Sequence, residues 1–115
     1  MKTLILANSG SMEAMNGYGL LKNLGSVTVD HLHSDLFSPN MFSRAASEND
    51  GTLDGCVVLA DNAAAVFAAR AAGVEKVVAI ADKKAAKQLA ADSDNPPMVH
   101  DFYEFYGKYF QQIYF

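Results

Sequence analysis

The chain has one cysteine, Cys56, so it can form no intrachain disulfide, as expected of a protein kept in a reducing compartment. It also has no long apolar run. The one at the start, residues 3–7, is too short for a signal-peptide core or a membrane span. No cluster of basic residues occurs, and with a net charge of -4 and a pI near 5.1 the chain lacks the electrostatic term that dominates binding to DNA or RNA. Internal repeats and low-complexity linkers are missing too, apart from a richness in alanine. The expected setting is therefore the cytoplasm, with neither nucleic acid nor membrane as a partner.

The chain is not poor in apolar residues. They make up 50% of it and charged residues 19%, far from the composition of a disordered chain, and 115 residues suit one core. Thr3-Leu4-Ile5-Leu6-Ala7 has the continuous apolar pattern of a central strand covered on both faces. Apolar residues then fall at Met12, Met15, Tyr18, Leu21 and Leu24, which predicts a helix over 12–24 with Ser11 as N-cap and Gly25 as stop. Gly17 and Gly19 weigh against a regular helix there, each costing about 1 kcal/mol relative to alanine.

Residues 26–32 are rich in β-branched side chains and predict a second strand. Residues 33–52 carry Pro39 and scattered Ser, Asn and Asp without a clean period, and read as a long loop with one helical turn around 42–46. Regularity returns with a strand at 55–60 and an alanine-rich helix at 63–72, capped by Asn62 and stopped by Gly73. A strand at 75–81 leads through Asp82 into an amphipathic helix at 83–91, with Lys83, Lys84 and Lys87 outward. A short run at 98–100 predicts a last strand, and Asp101-x-x-Glu104 has the spacing of a capping box opening a last helix. Strands alternating with helices in this way predict an α/β fold: a three-layer, doubly wound, mostly parallel sheet of about five strands, flavodoxin-like or nucleotide-binding-like.

In such sheets ligands bind beyond the carboxyl ends of the strands, where strand order reverses. Those ends carry Asn8, Ser9, Gly10 and Ser11, then Asp61 and Asn62, then Asp82, and these residues form the candidate cofactor-binding set. A Ser/Gly loop entering a helix offers backbone N–H groups and hydroxyls that suit a phosphate. The expected ligand is thus a nucleotide or another phosphate-bearing small molecule, with FMN, FAD and AMP as candidates. Ser11, Asn62 and Asp82 also serve as ordinary helix caps.

Other constellations carry less. Gly17-Tyr18-Gly19 lacks the third glycine of a dinucleotide fingerprint and lies too far past the strand. His31 and His33 share a strand face, with Asp30 and Asp35 beside them and His100-Asp101 as further ligand candidates. Two imidazoles without a proven third read as a solvated strand end, not a zinc site. Cys56, inside an apolar strand with no cationic neighbour in sequence, reads as a buried inert thiol. Asp61 is not expected to accept a phosphoryl group, because the paired acids of a response regulator are replaced after the first strand by Ala7-Asn8-Ser9. No residue is assigned a catalytic role.

The C-terminal tail is dense in aromatics: Phe102, Tyr103, Phe105, Tyr106, Tyr109, Phe110, Tyr114 and Phe115 are eight of the chain's twelve. Rings at this density need burial, and one helix on a sheet edge hides only one stripe of them. Residues 102–115 are therefore expected to dock on a partner subunit or a groove, making a homo- or hetero-oligomer, or to lead into a domain continuing beyond Phe115.

Two stretches resemble the N-terminal domain of the electron-transfer flavoprotein alpha subunit. One is Lys2-Thr3-Leu4-Ile5-Leu6-Ala7 with Gly10-Ser11-Met12, Leu21-Lys22-Asn23-Leu24-Gly25 and Val27-Thr28-Val29. The other is Ala68-Ala69-Arg70-Ala71-Ala72-Gly73-Val74-Glu75-Lys76-Val77-Val78, continuing through Ala81-Asp82 and Leu89-Ala90. Residues 33–55 have no counterpart in that family, which holds its flavin mainly through a C-terminal domain. The resemblance implies a redox-associated, nucleotide-related fold and not flavin binding by these residues themselves. Asn8-Ser9-Gly10-Ser11-Met12-Glu13, with Val29-Asp30-His31-Leu32 and Phe37-Ser38-Pro39, is similar to flavodoxin-like oxidoreductases, whose first loop wraps the FMN phosphate. That likeness implies a small FMN-dependent oxidoreductase. A third expectation, from the aromatic tail, is a non-catalytic interaction domain.

Overall fold

The computed structural model describes residues 3–10, 12–25, 27–48 and 53–109. Its sheet follows from three apolar runs. β1 (Thr3–Asn8), β3 (Cys56–Ala60) and β4 (Lys76–Ile80) are buried along almost their whole length, which only a sheet covered on both faces allows. β2 (Thr28–His33) and the two-residue β5 (Met98–Val99) form the edges. All four pairings are parallel, in the order β2-β1-β3-β4-β5. The expected parallel α/β architecture of five strands is present.

Side-chain alternation divides the core into two clusters. Ile5, Ala7, Val58, Ala60, Val77 and Ala79 face α1 (Pro39–Glu48), α2 (Ala63–Ala72) and α3 (Lys83–Asp92). Leu4, Leu6, Val57, Leu59, Val78 and Ile80 face Met12, Leu24 and α4 (Phe102–Tyr109). Register explains the match: Ile5 pairs with Val58 and Val58 with Val77, so like faces align across the sheet.

The caps at 62, 73 and 82 form as the sequence suggests. The Asn62 side chain accepts from the Ala65 N–H, the Asp82 side chain accepts from the Ala85 N–H, and Gly73 takes φ 95°, where a side chain would be strained. Asp101 accepts from the Glu104 N–H at 2.8 Å, opening α4. The proposed cap Ser11 lies outside the described residues.

Two expectations fail. The single helix over 12–24 is instead a 3₁₀ turn at Met12–Ala14 and a 3₁₀ helix at Tyr18–Asn23. Gly17 separates them at φ 83°, and a Cβ there would come within 2.9 Å of the Tyr103 backbone nitrogen. The break lets the chain pass close beneath the start of α4, where the Asn16 carbonyl accepts from the Phe102 N–H and the Tyr18 ring meets Phe102 edge-on at 5.4 Å. The second failure is the long loop at 33–52, since residues 39–48 form α1, a helix of 10 residues. Pro39 occupies its first position, where a missing N–H costs nothing, and Met41, Phe42, Ala45 and Ala46 make its apolar stripe. Residues 49–52 lie outside the described residues.

Phe42 is fully buried and stacks on Phe37 with ring centroids 6.1 Å apart. Phe42→Ala should therefore cost about 3–5 kcal/mol, read as a lower midpoint in urea unfolding; a midpoint unchanged from wild type would return this segment to a loop.

Candidate functional site

The strand order reverses between β1 and β3, because the chain leaves β1 for β2 on one side and returns to β3 on the other. Parallel pairing brings the carboxyl ends of these two strands together, with Ala7 opposite Ala60. Beyond them the Asp61 N–H donates to the Ala7 carbonyl at 3.2 Å, and the Ser34 N–H donates to the Asn8 carbonyl at 3.2 Å. Asn8 itself is buried.

The Asp61 side chain turns back over the β1 loop. The Ser9 N–H donates to its Oδ1 at 3.0 Å, the Gly10 N–H to its Oδ2 at 3.3 Å, and the Asn62 amide to Oδ1 at 2.9 Å. Both backbone donors that a phosphate would use at Ser9 and Gly10 thus already serve a carboxylate. The structure brings Asn8, Ser9, Gly10, Asp61 and Asn62 together at the reversal point, while Ser11 lies outside the described residues.

Asp82 follows β4, the strand next to β3, and its Oδ1 is spent on the N-terminus of α3. It lines a polar cleft of about 260 Å³ with Ala14, Met15, Asn16, His100 and Asp101. One ring nitrogen of His100, Nδ1, lies 3.1 Å from the Ala81 carbonyl; that contact makes Nδ1 the donor and leaves Nε2 an acceptor in the neutral ring. The sequence offered no periodic signal for this cleft, since its walls come from the 12–16 turn and from the ends of β4 and β5. A larger cleft of about 340 Å³ lies between Leu32 of β2 and Ser38, Asn40, Met41 and Arg44 at the start of α1. The pattern of residues 33–52 gives no sign of it, because Pro39 and the polar residues around it mask the helix that forms it.

His31 and His33 are exposed on β2, one edge of the sheet, whereas His100 follows β5 at the other. Four strand spacings separate those edges, about 19 Å, so His100 cannot complete a metal site with them. Among the described residues no group of three or more His, Cys, Asp or Glu side chains converges to hold a metal. No helix among them is long and apolar enough to cross a membrane.

A scan against protein-family models, a search of curated proteins and a search of solved structures each found no match to this chain.

Cys56 is buried at the start of β3, and burial pushes its thiol up, an effect partly opposed by a hydrogen bond with Thr3. The native state keeps this proton at a pH where the unfolded chain has lost it. The resulting stability is complete below the ordinary thiol value and is lost as pH rises through the raised one. Tyr18, raised by burial and by Glu13, acts in the same direction at higher pH. Denaturant unfolding at a series of alkaline pH values should show stability falling as pH rises, and Cys56→Ala should flatten the earlier part of that fall. An identical slope in the variant would mean that Cys56 is not its source.

Proposed function

We propose that this chain is a redox-associated, nucleotide-binding α/β module, of the kind implied by its likeness to the N-terminal domain of the electron-transfer flavoprotein alpha subunit. The observation that carries the reading is the meeting of Asn8, Ser9, Gly10, Asp61 and Asn62 at the reversal of strand order. Polar side chains converge there at the strand ends, and clefts of about 340 and 260 Å³, lined by other residues, lie towards the β2 and β5 sides. The same observation ranks the small FMN-dependent oxidoreductase second. Such an enzyme seats its ligand's phosphate on the first loop, and here Ser9 and Gly10 already donate to Asp61.

Thermal unfolding with and without AMP, FAD, FMN and adenosine tests this reading. A ligand at about 100 times its Kd adds roughly 2.7 kcal/mol, a rise in Tm of about 10 °C for a chain of this size. We expect that rise with an adenine-containing ligand, and a Tm indifferent to all four would refute nucleotide binding.

Docking through the aromatic tail is the third reading, favoured by Tyr103, which is 61% exposed on α4. Phe102 and Phe105 are buried in the core, and Tyr106 and Tyr109 pack against it half-buried, so part of this ring surface is covered within the chain. Deleting residues 102–115 would strip that core whatever the tail binds. Deleting 110–115 alone is the informative change: a shift in mass by light scattering is expected if the tail docks on a second chain, and an unchanged mass would count against docking.

A further inference from the structure

Resting on the nucleotide-binding reading, we infer that Asp61 is a built-in occupant of the anion position in the β1 loop, and that it selects against ligands presenting a phosphate at the strand reversal. Ligands offering a neutral, hydroxyl-bearing end, such as a nucleoside sugar, are favoured there. The geometry is that of a bound anion supplied by the chain itself. One carboxylate spans two successive backbone N–H groups, Oδ1 to Ser9 at 3.0 Å and Oδ2 to Gly10 at 3.3 Å, and a side-chain amide braces Oδ1 from Asn62 at 2.9 Å. Asn62 is itself held in place, because its own oxygen caps α2 on the Ala65 N–H at 2.8 Å. The carboxylate is thus anchored from both sides of the reversal.

A phosphate approaching Ser9 and Gly10 would have to displace this group or share the donors with it. Two anions at contact distance repel strongly at a protein surface. A sugar hydroxyl meets no such repulsion and can donate to the carboxylate while the Ser9 and Gly10 bonds remain, since each carboxylate oxygen accepts more than one hydrogen bond.

The test is to titrate inorganic phosphate into the full chain and follow the Ser9 and Gly10 amide resonances by NMR. In wild type these should move only weakly. In Asp61→Asn and Asp61→Ala they should shift with an affinity about tenfold or more above wild type, a modest share of the repulsion removed. Phosphate shifting both amides equally in wild type and variants would overturn the inference, as would variants with native-like spectra that gain nothing. If neither variant folds, wild-type affinities for adenosine and AMP decide: adenosine equal or tighter supports the inference, and AMP tighter than adenosine overturns it. Failure of every nucleotide to bind would remove the nucleotide-binding reading, yet the phosphate titration would still report on Asp61.

Discussion

β1 lies at the centre of everything else in this chain. Its residues from Thr3 to Asn8 are all buried, so both faces and both edges need cover. Parallel neighbours β2 and β3 satisfy the edges, and since parallel strands need crossovers, each neighbour brings a connection that lies over a face. The connection to β2 is the pair of 3₁₀ segments on one face, and the connection to β3 carries α1 over the other. Because those connections leave β1 in opposite directions, its carboxyl end becomes the place where strand order reverses. The candidate site is a consequence of how β1 is covered.

The two faces solve the covering problem differently. α2 is nearly all alanine and valine on its inner side, with Ala65, Val66, Ala68 and Ala69 buried, so it lies close to β3 and β4 with little side-chain entropy lost. Among the described residues the opposite face is covered by short 3₁₀ segments and α4, and it fills the remaining space with large groups, Met12, Phe102 and Phe105. The aromatic density of the C-terminal region follows in part from this: where helix is short, ring volume takes its place.

What the β1 loop holds is a separate matter from where it lies. Ser9 and Gly10 look like phosphate donors in isolation, yet a carboxylate from β3's end satisfies both. The backbone donors of this loop are engaged, although its own residues are those of an open strand-end loop. Asp82 and Asp101 each likewise spend one oxygen on a helix N-terminus, which accounts for much of the acidity along this edge.

Local pattern alone determined β1, β3 and β4, the ends of α2 and α3, and the caps Asn62, Asp82 and Gly73, because burial on both faces, helix start and helix stop are each encoded by residues within a few positions. It misled at 12–24, where Gly17 answers to the backbone of α4 instead of to its own segment, and at 39–48, where a proline that opens a helix resembles one that prevents it. Only the tertiary structure decided that Asp61, 52 residues from Ser9, covers the loop, and that His100 stands across the sheet from His31 and His33. Those relations depend on the order in which strands lie side by side, and the sequence near any one strand has no means of specifying its distant neighbour's position.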